Sequence, residues 1–266
     1  RVKLPTGKSV QQAIAEHKTK KDPRILRVEP NYRVRALGVP NDTYFTQLWA
    51  MRNTGQTGGT ANADIDAVSA WDITTGSDNV IVAVIDTGID HRHPDIAANI
   101  WTNPGETAGN HNDDDHNGYI DDVHGYNFVD NDGNVLDLHS HGTHVAGTIA
   151  GRGNNSAGVT GVNWRCKLMA CRFLDENGSG TIADAIDAIN YAVANGADIL
   201  SNSWGGGGYS ASLAAAITNA KNNGVLFVAA AGNESADCDS SPHYPSGYDI
   251  SNVISVGATD HTDSLA

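Results

Sequence analysis

Cysteine, long apolar runs and, beyond residue 40, positive charge are all scarce in this sequence. Its three cysteines are Cys166, Cys171 and Cys238. The first two lie five apart in one apolar stretch, so as strand residues they face opposite sides, too far apart to bridge. At least one thiol is then unpaired within the chain, and buried free thiols are expected. No apolar run approaches the ~18–20 residues needed to span a bilayer, so no membrane partner is expected. No cleavable leader is visible either; the sequence opens at Arg1 in mid-pattern, as it would with an upstream targeting segment removed or never included. Net charge is −14 and unevenly spread: residues 1–40 carry ten Lys/Arg against three Asp/Glu, and residues 41–266 seven against twenty-eight. The acidic majority argues against nucleic acid as a partner and suits cation binding. A basic segment joined to an acidic body reads as two units that attract each other.

What is present is an alternating pattern. A chain of 266 residues suits one large α/β domain with a small appendage, the boundary falling near Val39-Pro40-Asn41-Asp42. In the appendage, Ser9 to His17 has a capping Ser and helical spacing, and Ile25 to Ala36 reads as extended, with Pro30 confining it to an edge. Beyond it, Val80 to Ile85, Cys166 to Leu174, Ile199 to Ser203, Val225 to Ala231 and Val253 to Val256 read as strands. Thr143 to Ala150, Thr181 to Ala194 and Ser212 to Asn222 read as the helices between them. Strands that are apolar almost throughout predict a parallel sheet covered on both faces. Ligands sit at the carboxyl ends of such strands, where Asp86, Ser203 and Asn233 all fall.

Four motifs carry chemistry. Residues 80–90 read V-I-V-A-V-I-D-T-G-I-D, delivering Asp86 from a strand into a Thr87-Gly88 turn, fit to hold an imidazole. Residues 139–147 read H-S-H-G-T-H-V-A-G, placing His141, a candidate general base, at the start of a small-residue helix. His139, His141 and His144 could alternatively hold zinc, although no nearby Cys or clear fourth ligand accompanies them. S-W-G-G-G follows at 203–207 and A-A-A-G-N-E at 229–234.

In that order, over roughly Asn41 to Ala266, these motifs resemble the subtilase family of serine proteases. The resemblance implies a three-layer α/β subtilisin-like fold, its mostly parallel sheet flanked by helices and incomplete at the C-terminus. It implies a secreted, monomeric endopeptidase that hydrolyses polypeptides through an Asp-His-Ser triad and an acyl-enzyme. Asp86 would orient His141, His141 would take the serine proton, and Asn233 would donate to the oxyanion. Ser203, Trp204 and Gly205 match one wall of the S1 cleft, with Ala230 and Gly232 also against the substrate; Trp204 is bulkier than the aliphatic residue common there. Gly178, Ser179 and Gly180 match the edge segment that pairs with substrate backbone. The family's nucleophile sits in a G-T-S-M-A-like turn, which these residues lack; Val253 to Asp260 match the segment before that final third. The sequence is therefore expected to be a truncated or processed piece, inactive by itself.

Oxygen-rich stretches point to calcium. Residues 112–122 read N-D-D-D-H-N-G-Y-I-D-D. From Asp113, the start of an EF-hand loop is followed: Asp113, Asp115 and Asn117, then Gly118, the Tyr119 carbonyl and Asp121. His124 stands where the bidentate Glu would be, so another ligand, such as Asp122, would complete the site. By resemblance, Asp42, Asp95 and Asn155, with the carbonyls of Gly153, Ala157 and Val159, form the strong calcium site. Asp130 and Asp132 form a weaker one. All are oxygen ligands, favouring calcium over transition metals. Residues 1–40 resemble the last half of an inhibitory propeptide, a partner in its own right. Arg33 to Leu37 would lie product-like in the cleft, and cleavage between Ala36 and Asn41 would leave a mature 41–266 domain.

Two other readings compete. Gly178 to Ala183 fits G-x-G-x-x-A for a dinucleotide, but Asp175-Glu176-Asn177 lengthen the turn and set negative charge where pyrophosphate would sit. A non-catalytic, calcium-stabilised module that binds peptides is the second.

Overall fold

The structure is a computed structural model that describes residues 3–20, 22–31 and 38–266. The chain forms two compact units, Arg1–Leu37 and Gly38–Ala266.

The first unit holds helix α1, Val10–Lys20, with Ala13 buried. Its start is fixed reciprocally: Ser9 Oγ accepts from the Gln12 N–H at 3.1 Å, and Gln12 Oε1 accepts from the Ser9 N–H at 2.9 Å. The helix runs one turn beyond the expected His17 because nothing after it breaks the pattern before Asp22-Pro23. Residues 25–31 enter no β-ladder, and the rest of the expected extended segment, Arg33 to Leu37 included, lies outside the described residues.

The second unit is built on six parallel strands: β1 (Gly76–Asp86), β2 (Gly125–Asn127), β3 (Arg165–Arg172), β4 (Ile199–Asn202), β5 (Leu226–Ala230) and β6 (Val253–Val256). They lie side by side in the order β2-β3-β1-β4-β5-β6. Helices α2 (Ala67–Trp71), α3 (His141–Ala150), α4 (Ile182–Ala194) and α5 (Ala211–Asn222) complete the unit. Alternate residues of the central strands feed two separate cores, as the two-residue strand period requires. Ala83, Ile85, Met169 and Cys171 pack with Ala188 and Ile189 of α4 and Ile217 of α5. Val82, Val84, Leu168 and Ala170 pack with Ala146 and Ala150 of α3 on the other face. This is the three-layer arrangement that the apolar strands imply.

The cysteines obey the same alternation. Cys166 joins one core and Cys171 the other, and both are free thiols. Burial pushes the Cys166 thiol up to about 11 and Cys171 higher still. Cys238 is free and exposed. The register puts Asp86, the last residue of β1, beside Arg172, which pairs in turn with Asn127. Asp86 therefore stands at the carboxyl edge of a strand flanked by β3 and β4.

Candidate active site

Asp86 ends a central strand and is 1% exposed, while the His141 side chain at the start of α3 is 43% exposed. The two converge: His141 Nδ1 lies 2.7 Å from Asp86 Oδ1. The same oxygen accepts from the Thr87 N–H at 2.7 Å, whereas Oδ2 is buried without a partner. Burial raises the Asp86 carboxyl above the ordinary aspartate range, and the His141 and Thr87 hydrogen bonds work against it. Among the described residues the His141 ring makes no other hydrogen bond.

Small residues make the approach possible. A Cβ on Gly142 would lie 2.2 Å from the Gly88 carbonyl oxygen and 3.2 Å from Asp86 Oδ1, so only glycine lets α3 rest on the turn. Ser140, at φ +82°, turns the chain into α3 without its own side chain capping the helix. Thr87 Oγ1 instead accepts from the Gly142 N–H at 2.9 Å, and Asp137 Oδ2 from the Thr143 N–H at 2.9 Å. Sequence reading missed Asp137; an acid three residues before the helix entry was the available signal.

The residues matched to a substrate cleft lie along the same rim. Ser203 follows β4, and the Trp204 ring meets Phe173 edge-on at 4.9 Å. Gly205 and Gly232 both abut His243: an added Cβ would lie 2.2 Å from His243 Nε2 in the first case and 3.1 Å from Cδ2 in the second. His243 was also missed. Ala230 ends β5, and the Asn233 N–H donates to Glu234 Oε2 at 2.9 Å. In the 178–180 loop, Asp175 Oδ1 accepts from the Asn177 and Ser179 N–H groups at 2.8 and 2.9 Å. The Cβ position of Gly178 is 3.4 Å from His139 Nε2, which brings this loop beside the histidine segment.

The oxygen clusters separate into distinct places. Asp42 is 5% and Asp95 3% exposed. Asp42 Oδ2 accepts from the Asn154 N–H at 2.7 Å, while its Oδ1 is buried and unpartnered. Asp95 accepts from Asn155 Nδ2 at 2.8 Å and the Val159 N–H at 2.7 Å, and Asn155 Oδ1 accepts from the Ala157 N–H at 2.8 Å. Gly153 packs against the Trp164 ring. An orphaned buried carboxylate oxygen on Asp42 fits a hard cation.

In the acidic loop, oxygens of Glu106, Asp113 and Asp115 gather within 4.8 Å of one another. Glu106, seven residues before Asp113, was not foreseen; its Oε2 is buried without a partner. Asn117 donates through its Nδ2 to Asp115 Oδ2 at 3.1 Å and to Asp122 Oδ2 at 3.0 Å. Asp122 is fully buried and accepts from Tyr191 Oη at 2.6 Å. Asp121 turns the other way and clamps the 109–111 backbone, accepting from Gly109, Asn110 and His111 N–H groups at 2.8, 3.2 and 3.0 Å. The Tyr119 ring packs edge-on against Tyr126 and Tyr191. Asp130 faces the buried Arg172 guanidinium at 3.4 Å, and Asp132 accepts from Asn127 Nδ2 at 3.0 Å. An arginine thus already supplies positive charge there. Among the described residues the ring nitrogens of His139, His141 and His144 are not drawn within 4.8 Å of one another, as a zinc site would need.

A buried carboxylate bonded to the Nδ1 edge of a half-exposed imidazole, at the carboxyl rim of a parallel sheet, is the acid–base arrangement that serine hydrolases use. The subtilase family model matches residues 77–266, and the chain belongs to that family. It is 39% identical over 245 residues to the thermophilic serine proteinase of Bacillus sp. (strain AK1), covering 92% of this chain but 52% of that protein. The chain thus spans about half the length of that relative, 52% of it. It is 36% identical over 225 residues to thermitase of Thermoactinomyces vulgaris, covering 85% of this chain and 67% of that protein. A solved protease structure from Pseudoalteromonas arctica superimposes with a TM-score of 0.67 at 28% identity, covering 86% of this chain and 68% of that one. Family membership also removes the dinucleotide reading.

Proposed function

We propose that the chain is part of a secreted, calcium-stabilised, monomeric subtilisin-type endopeptidase, to which it contributes Asp86 and His141 of an Asp-His-Ser triad. The observation that carries this reading is the 2.7 Å contact between Asp86 and His141 Nδ1, with no further bond to that ring among the described residues. Asp86 holds the Nδ1–H tautomer and stabilises the imidazolium that forms. His141 Nε2 takes a proton from a serine hydroxyl as it attacks the peptide carbonyl, and later gives that proton to the leaving amine. The Asn233 amide donates to the developing oxyanion. Gly178, Ser179 and Gly180 pair with the extended substrate backbone, while Ser203, Trp204, Gly205, Ala230 and Gly232 line the cleft.

Calcium would be held at Asp42, Asp95 and Asn155 with the carbonyls of Gly153, Ala157 and Val159. A second ion would sit at Glu106, Asp113, Asp115 and Asn117. Bound calcium neutralises these carboxylates and stiffens the loops. Residues 1–40 act as the end of an inhibitory propeptide, released by cleavage between Ala36 and Asn41. A secreted location is supported by likeness to a halolysin-like extracellular serine protease of Natrialba magadii, 34% identical over 245 residues covering 91% of this chain and 39% of that one.

The 266-residue polypeptide alone is expected to be inert, because no serine in it occupies a G-T-S-x-A-like turn. The test is fluorophosphonate labelling with peptide hydrolysis, on these 266 residues and on a chain extended through the downstream serine segment. Labelling confined to the extended chain, and lost in H141A, is the expected result. Labelling of the short chain overturns the claim of inertness. An extended chain that holds peptide without cutting it makes the protein a binding module.

A further inference from the structure

We propose that Asp137 is a positioning residue: its carboxylate ties the Asp86 turn to the start of α3 and so fixes the approach of His141 to Asp86. This rests on the reading of Asp86 and His141 as the catalytic pair. Asp137 Oδ1 accepts from Thr87 Oγ1 and from the His139 and Ser140 N–H groups, each at 2.9 Å. Its Oδ2 accepts from the Thr143 N–H at 2.9 Å and from Thr143 Oγ1 at 2.6 Å. Five donors converge on one half-buried carboxylate, from both segments that carry the pair.

The two threonines extend the bridge. Thr87 gives its hydroxyl proton to Asp137, accepts from the Gly142 N–H at 2.9 Å, and through its own N–H donates to Asp86 Oδ1 at 2.7 Å. Thr143 likewise accepts from the Asp90 N–H at 3.0 Å while donating to Asp137. Every route from the D-T-G-I-D turn to the residues flanking His141 in this network passes through Asp137 or a threonine bonded to it. Thr87 joins the cap and the turn in one residue: its hydroxyl sits against the Gly142 N–H of α3, while its own N–H holds Asp86. Burial would lift the Asp137 carboxyl, but the hydrogen bonds from Thr143, His139 and Ser140 outweigh it and hold it below the usual range, so the bridge is charged at neutral pH. The mechanism does not need Asp137 to touch substrate; it needs the imidazole held, since small misplacements are costly in rate.

The test uses the low-field proton resonance of His141 Nδ1–H in the 266-residue chain, assigned with 15N-labelled histidine and by its loss in H141Q. D137A is expected to lose the resonance to exchange with water while a cooperative melt persists. D137N, which keeps one acceptor oxygen, is expected to show it weakened. T87V leaves Asp137 and its backbone donors in place but cuts its link to the turn together with the Thr87–Gly142 bond, and is expected to broaden the resonance; T87S, which restores both, is expected to restore it. An unchanged resonance in both D137A and T87V overturns the proposal. A wild-type resonance absent, or unaffected by D86N, would remove the pair reading itself and the role of Asp137 with it.

Discussion

Replacing Tyr191 by phenylalanine removes one oxygen atom and tests how the acidic loop is anchored. Tyr191 is 1% exposed and Asp122 fully buried, and the hydroxyl donates to Asp122 Oδ2 at 2.6 Å, a charge-assisted distance. Without it, Oδ2 keeps only Asn117 Nδ2 at 3.0 Å. A hydrogen bond to a charged group is worth about 1.5–3 kcal/mol, and the Tyr191 ring lies against Tyr119, Tyr126 and Phe128. At roughly 2–4 °C per kcal/mol for a domain of this size, Tyr191→Phe lowers Tm by about 3–12 °C. Burial pushes the Asp122 carboxyl up, and the Tyr191 bond is the first of the interactions that pull it down. That bond favours the ionised form, so the deficit is largest at high pH and shrinks as pH falls through the Asp122 titration. Calorimetry at two pH values, with Tyr119→Phe as a neighbouring aromatic control, reads both effects. A Tyr191→Phe Tm indistinguishable from that of Tyr119→Phe would refute the reasoning.

Other outcomes follow from the same geometry. Gly142→Ala drives a Cβ into the Gly88 carbonyl, so it costs about 1–3 kcal/mol in denaturant unfolding and lowers kcat of the serine-bearing form roughly 10²-fold. Chelation lowers Tm, since an ion present at about 100 times its Kd contributes about 2.7 kcal/mol; Asp42→Ala shrinks the chelator effect, and a Tm indifferent to chelator contradicts the calcium assignment. Asp137 is held below its ordinary pKa, so the stability it contributes is present above the unfolded value and lost as pH falls through the depressed one; acid melts of D137N show a weaker acid limb. Asp86, raised by burial, has the opposite sign: its contribution declines as pH rises from the ordinary aspartate value to the raised one, and D86N flattens that part of the profile.

The sheet was legible because its central strands are apolar on both faces, so Val80 to Ile85 and Cys166 to Leu174 announced themselves. Strand β2 was not, because Gly125–Asn127 is three residues long and has no apolar run. Asp86 and His141 were legible as motifs: each follows from a strand or helix end beside a glycine turn. Glu106 and His243 carry their meaning only in three dimensions, and Asp137 gave no more signal than an acid ahead of a helix. Glu106 joins Asp113 and Asp115 within 4.8 Å by folding back across the loop, and nothing in its own neighbourhood announces that meeting. Asp121 and Asp122 show the converse: adjacent in sequence and alike in chemistry, they turn apart, because Asp121 at φ +54° closes the 109–111 backbone while Asp122 reaches Tyr191. Local spacing can count carboxylates but cannot say which way two neighbours point.

The most direct test of the catalytic pair is the tautomer of His141, read from its 15N shifts above the titration of the free ring. A proton on Nδ1, facing Asp86, with Nε2 bare and able to accept from a hydroxyl, is the predicted state. A proton resident on Nε2 would contradict the account, because that ring could not act as the base.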